Sequence, residues 1–263
     1  MFEPRLALAS LSGQSDAEWA ENAQKFAGAA MLGGIALDEP TREAAREMVE
    51  RDREEFLPEN PVAFVDRQLA ALGDADIRPG FNVRTATLPP LRKVAETCAD
   101  RDALLELNAH CRQDEMCRAG AGEALLRDSE RLREQVRTAA SEGATVSVKV
   151  RAELPGVNLP EIARLVADAG GHAVHVDAMD SEGVVAEIAD AAEATDESDL
   201  FVIANNGVRD RATVREYLAY GADAVSVGRP SDDPAVLRRV RSAVDEWFEA
   251  ESIEEAKETE VEA

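Results

Sequence analysis

The sequence is poor in cysteine, in lysine and in long apolar runs, and each shortage narrows what the chain can be. Cys98, Cys111 and Cys117 are an odd number at irregular spacing. That argues against a disulfide framework and fits a reducing cytoplasm. No apolar run approaches the roughly 20 residues of a membrane span. The first ten residues, MFEPRLALAS, carry Glu3 and no basic stretch ahead of a long apolar core, so no signal peptide is expected. GxGxxG does not follow the first apolar strand and GxxxxGK[ST] occurs nowhere, which removes the usual evidence for an open nucleotide-binding sheet. No CxxC pair or HExxH accompanies His110, Cys111 and Cys117, so no metal site is expected.

What is abundant is negative charge. Asp and Glu total 53 against 29 Lys and Arg, a formal net charge of −24, and only Lys25, Lys93, Lys149 and Lys257 are lysines. An acidic, lysine-poor surface suits a molar-salt, halophilic cytoplasm, where the Debye length falls to about 3 Å and self-repulsion is screened. Bulk charge gives no sign of affinity for nucleic acid.

Apolar β-rich segments alternate with amphipathic ones from end to end, the pattern of a parallel α/β sheet. Eight strands are expected, at Leu6–Ser10, Ala29–Leu32, Phe81–Val83, Leu104–Asn108, Val146–Val150, Ala173–Val176, Leu200–Ala204 and Ala224–Val227. Eight strand–helix units with no strand left over predict one closed parallel (β/α)8 TIM barrel over residues 1–250. Residues 40–79 are longer than one helix needs and read as the second helix plus an insertion. Residues 251–263, ESIEEAKETEVEA, read as an acidic, solvated, disordered tail.

In such a barrel the chemistry sits on loops leaving the C-terminal strand ends. Asn108 ends an apolar strand, with Cys111 three residues on and two glycines ahead of a strong helix. Lys149 lies among β-branched residues in VSVKVR, a costly place for an ammonium unless an anion or acceptor meets it. Strands seven and eight end in ANNG and SVGRP, where small residues let amides approach a phosphate and Arg229 can fork onto it. By contrast Cys98 shares a helical stripe with Leu91, Val94 and Ala95 and is expected in the core. His172 and His175 fall on opposite faces of a strand and cannot chelate together.

The run LNAHCRQDEMCRAGAGEALLRD resembles the dihydrouridine synthase signature, an Asn-x-Gly-Cys-Pro loop followed by a Gly-x-Gly-x-x-Leu-Leu helix start. The resemblance continues through VSVKVR, EIARLVADAGGHAVHVDAMD and FVIANNGVRDRATVREYLAYGADAVSVGRP. It implies a barrel that uses reduced FMN, with NAD(P)H as electron donor, to reduce the uracil 5,6 double bond in tRNA. By the same resemblance Cys111 is the general acid and Asn108 lies beside flavin and substrate. Lys149 and Asn82 match the flavin-contacting Lys and Gln. Ser10, with Gly13 and Asp16, belongs to the first loop, while Asn205, Asn206, Gly207, Gly228 and Arg229 match the phosphate turns.

Departures accompany it. His110 and Arg112 replace the Gly and Pro flanking the cysteine, and Asp177 replaces the strand-six His, with His175 two residues earlier on the same face. The chain stops after its eighth helix, where most family members add a helical tRNA-gripping domain. Besides tRNA, a free pyrimidine or other small molecule is therefore an expected substrate, and a non-enzymatic binding barrel is a third reading. Cys117 competes with Cys111 as proton donor.

Overall fold

The computed structural model describes residues 1–194 and 200–262, with side chains described through residue 253. Eight parallel strands close on themselves in sequence order, β1 to β8, with β8 pairing back to β1. They are β1 (Leu6–Leu8), β2 (Ala29–Ala36), β3 (Arg78–Arg84), β4 (Leu104–Asn108), β5 (Thr145–Arg151), β6 (Ala173–Asp177), β7 (Phe201–Asn205) and β8 (Ala224–Val227). Around them run α1 (Ala17–Ala23), α2 (Glu39–Val49), α3 (Pro61–Ala71), α4 (Leu88–Asp100), α5 (Asp114–Arg118) and α6 (Glu123–Leu126). The ring is completed by α7 (Ser129–Ser141), α8 (Leu159–Asp168), α9 (Val184–Glu193), α10 (Arg211–Ala219) and α11 (Pro234–Glu262). All eight expected strands are present. The long second connection contains α2 and α3, and the loop after β4 contains α5.

Local chemistry starts the helices where the sequence places a short polar residue. Asp38, Asn60, Asp128, Asn158 and Asp210 each accept a backbone N–H from the first turn of α2, α3, α7, α8 and α10. Asp38 also accepts from Thr85 Oγ1, the Ala86 amide and Thr87 Oγ1, so one cap ties the β2 and β3 exits together.

The tail expectation is corrected in part. Residues 251–262 continue α11 as helix, because Glu, Ala and Lys are good helix formers and no Gly or Pro interrupts propagation. Glu251, Ser252 and Ile253 are nevertheless exposed.

Side chains alternate across each strand, so the barrel interior is built in layers. The floor is apolar: Phe2, Ala7, Ala29, Met31, Leu104, Ile203 and Ala224 form one cluster, with Phe2 edge-on to Phe201 at 5.4 Å. Two residues further along the strands the interior turns polar, with Asn82, Glu106, Ser147, Lys149, His175 and Ser226 all buried. Opposite faces of the same strands, such as Leu105, Leu107, Val148 and Val174, pack with the helices.

Candidate active site

A hydrogen-bonded chain runs through part of the polar layer, while Ser147 Oγ is buried without a partner. Asn108 Nδ2 donates to Asn82 Oδ1 at 2.9 Å, and Asn82 Nδ2 donates to Glu106 Oε1 at 2.7 Å. Glu106 Oε2 meets His175 Nδ1 at 2.6 Å, and His175 Nε2 meets Ser226 Oγ at 2.7 Å. Burial by itself would raise the Glu106 carboxyl, but His175, Lys149 and the Asn82 amide outweigh it and hold it down at about 2. Burial and then the Lys149 charge push His175 below its ordinary range, against the pull of Glu106. At neutral pH the pair is therefore carboxylate and neutral imidazole. Nδ1–H donates to Glu106, and Nε2 accepts the Ser226 hydroxyl.

Above this layer lies a cavity of about 530 Å³, within the size range of small-molecule and cofactor sites. It draws on the exits of β1, β4, β5, β6, β7 and β8. Seven of the residues expected from the sequence line it: Ser10, Lys149, Asn205, Asn206, Gly207, Gly228 and Arg229. Lys149 is 3% exposed, and among the described residues it makes no hydrogen bond or ion pair. Such an ammonium is costly unless an anion or acceptor completes the site. At the facing wall, Asn206 and Gly207 both have positive φ, and Asn206 is pinned by its Nδ2 bond to the Met179 carbonyl (2.7 Å) and by Tyr217 Oη on its own carbonyl (2.9 Å). Among the described residues the amides of Gly207 and Gly228 donate to no protein acceptor. Free amides, Arg229 and the buried Lys149 give this cavity the donors an anionic ligand would need, with Asp177 a carboxylate in the same lining.

Asn82, Asn108 and Cys111, also expected from the sequence, are not among the residues that line this cavity. Asn108 Oδ1 accepts from the amides of Cys111 (2.9 Å) and His110 (3.3 Å), fixing the loop that carries the thiol. Gly122 makes the other clamp. Its φ is +62°, the Glu123 amide donates to the Cys111 carbonyl at 2.9 Å, and a Cβ on Gly122 would stand 2.2 Å from that oxygen. The Gly-x-Gly element is thus where the Cys loop docks. Gly13 packs against the backbone of Glu54, and Asp16 caps α1, so neither lines the cavity.

Other participants entered the sequence reading only as departures from the family pattern, or not at all. His110 Nε2 lies 3.4 Å from Asp177 Oδ2, so an imidazole from the Cys loop meets the carboxylate at the end of β6. Burial pushes His110 down, and Asp177 opposes it. Arg209 also lines the cavity. Glu106 could have been noticed as the one acid in LLELN, and His175 as its inward partner in AVHVD. Arg84 and Glu55, a buried ion pair between the end of β3 and the connection from α2 to α3, carry no comparable signal.

A closed (β/α)8 barrel with a polar cavity at its C-terminal rim, lined by Lys149, Arg209 and Arg229, has the architecture in which barrel enzymes place their active sites. Residues 85–262, more than half of the chain, match the dihydrouridine synthase family. An uncharacterised protein of Methanocaldococcus jannaschii is 25% identical over 240 residues, covering 87% of this chain and 89% of that protein. Among solved structures, a DHODH of Eimeria tenella in complex with ferulenol superposes with a TM-score of 0.68 at 16% identity, over 95% of this chain and 82% of that one. A mandelate oxidase variant gives 0.59 at 16% identity, over 92% and 74%. The chain belongs to the dihydrouridine synthase family, and with it to the flavin-dependent oxidoreductases.

Proposed function

We propose that the protein is an FMN-dependent reductase of the uridine 5,6 double bond in tRNA, with Cys111 as general acid and a nicotinamide as electron donor. The observation that carries the reading is Lys149, a buried ammonium that makes no hydrogen bond or ion pair among the described residues, in a cavity of cofactor size. Lys149 would hold the flavin ring, with Ser10 in the first loop and Asn205, Asn206, Gly207, Gly228 and Arg229 at its phosphate. Bound flavin supplies the hydride.

The chain's own residues do the rest. Asn108 holds the Cys111 amide, so the thiol is presented at a fixed height over the β4 exit. From there its S–H would donate a proton to carbon 5. A positioned acid of this kind typically contributes about 10²–10⁴-fold.

A free pyrimidine is the second reading, and the net charge of −24 favours it, because a polyanion such as tRNA is repelled by an acidic surface. Nucleoside analysis of tRNA from a deletion strain separates the two. Loss of dihydrouridine supports the tRNA substrate. Unchanged dihydrouridine, with FMN bound by the purified protein, moves the assignment to the small molecule. Protein that binds no FMN in a titration at high salt overturns both. We place the enzyme in the cytoplasm of a salt-accumulating cell, on the cysteine and charge usage of the sequence.

A further inference from the structure

Of the side chains in the buried chain of Asn108, Asn82, Glu106, His175 and Ser226, Ser226 is the one that lines the cavity. It stands at the cavity floor, 1% exposed, on β8 two residues before Gly228.

The chain has a direction, and one group sets it. Glu106 is a carboxylate at neutral pH and has no hydrogen to give. It therefore accepts at both oxygens, from Asn82 Nδ2 at 2.7 Å and from His175 Nδ1 at 2.6 Å. With its proton on Nδ1, the neutral imidazole has only a lone pair at Nε2. The Ser226 hydroxyl, 2.7 Å away, gives its hydrogen to that nitrogen. Its other acceptor within reach, the Ala204 carbonyl, is 3.4 Å away and competes poorly. Ser226 Oγ is left with lone pairs and no hydrogen for whatever occupies the cavity.

An oxygen of that kind selects its ligand. It repels a phosphate or carboxylate oxygen, since neither partner has a hydrogen to share, and it welcomes a neutral hydroxyl or N–H. The Asp177 carboxylate in the same lining acts in the same sense. His175 is the register neighbour of Lys149 and holds Ser226 with its far nitrogen, while Gly228 and Arg229 follow Ser226 by two and three residues. Ser226 thus stands between the ammonium assigned to the flavin ring and the donors assigned to its phosphate. That is the stretch where FMN carries its ribityl hydroxyls.

We infer that Ser226 is a binding residue for a neutral hydroxyl of the ligand, its oxygen set as an acceptor by Glu106 through His175, and that on a flavin this hydroxyl belongs to the ribityl chain. The inference rests on the flavin reading for the identity of the ligand. The direction of the chain does not depend on it.

The direction is read with no ligand present. In isotope-labelled protein at neutral pH, the His175 ring, assigned by its loss in His175→Gln, is expected to show NMR signals of a protonated Nδ1 and an unprotonated Nε2. A proton on Nε2 would make Ser226 a donor to the cavity and overturns the inference. Ligand choice is read by titration with riboflavin, which has the ribityl hydroxyls and no phosphate, and with lumiflavin, which has the ring alone. Ser226→Ala is expected to weaken riboflavin by roughly ten-fold, the effect of one hydrogen bond, and to leave lumiflavin within about two-fold of the parent. Ser226→Thr keeps the hydroxyl and is expected to retain near-parental riboflavin affinity. Equal weakening of both ligands is what a loosened barrel produces, and it overturns the inference, as does unchanged riboflavin affinity in Ser226→Ala. Should Ser226→Ala not fold, Ser226→Cys takes its place, because sulfur is a weak acceptor. A parent that binds FMN while either test fails sinks this inference alone. A parent that binds no flavin sinks the flavin reading, and the ribityl assignment with it.

Discussion

The side-chain oxygen of Asn108 accepts the Cys111 amide at 2.9 Å, while the same side chain's Nδ2 donates to Asn82 at 2.9 Å. One asparagine therefore connects the reactive loop to the interior of the barrel. Asn108→Asp keeps the acceptor but loses the donor to Asn82 and adds a charge next to Glu106. Asn108→Ala releases the loop. Both are expected to lower turnover by roughly 10²-fold or more, as displacement of a positioned group does. Turnover within two-fold of the parent in Asn108→Ala would show that the loop is held by Gly122 alone.

Gly122→Ala tests that second clamp. The added methyl would meet the Cys111 carbonyl at 2.2 Å, at a φ of +62°. Strain of this kind costs about 1–3 kcal/mol. Lower melting temperature together with faster iodoacetamide access to Cys111 is the expected outcome, and unchanged access would mean that the loop is not docked there.

Cofactor affinity follows the cationic rim. Lys149→Met and Arg229→Ala each remove a charge-assisted contact worth about 1.5–3 kcal/mol. Flavin fluorescence titration should show weakening of roughly 10-fold to 150-fold in each variant. Equal affinity in Lys149→Met would leave the buried ammonium without a role.

The two thiols are separated by substitution. Cys111→Ala is expected to retain bound FMN and its reduction by a nicotinamide donor, but to lose substrate reduction. Cys117→Ala should keep most turnover. Reversal of the two would transfer the acid role to Cys117.

The buried pair dictates an acid limit. Glu106 has a lowered folded-state pKa, so its stabilisation is fully present above about 4.5 and is lost as pH falls toward about 2. His175 is also lowered, so the unfolded chain binds its proton first as pH drops below the usual histidine value of about 6.5. Both contributions make stability fall on the acid side. Chemical denaturation between pH 7 and 3 should show this slope, reduced in a Glu106→Gln, His175→Gln double variant. On the other axis, with a net charge of −24, melting temperature should climb as KCl approaches molar levels, and a flat curve would remove the salt-adapted reading.

Much of the fold was legible because it is local. Periodic strands such as VSVKVR and helix caps such as Asp210 speak within a window of a few residues, and the Cys98 stripe does likewise. The thiol, buried with no exposure, is pushed up to about 12. Lys149 was legible for a related reason, a charge where β-branched residues promise burial. Glu106–His175 and Arg84–Glu55 were not, because their partners lie 69 and 29 residues apart and only barrel closure brings them together. The helical continuation of α11 escaped because the absence of an apolar stripe predicts solvation and is silent on backbone conformation.

The chain of Asn82, Glu106, His175 and Ser226 also has a meaning for how this sequence can drift. Each member satisfies its neighbours with the donor or acceptor it alone provides, so a single replacement strands a buried polar atom on another strand. Relatives that have lost His175 are therefore expected to have exchanged Glu106 or Ser226 as well. The inner ring of the barrel is thus expected to change as a set, and the floor of Ala, Met, Leu and Ile beneath it one residue at a time.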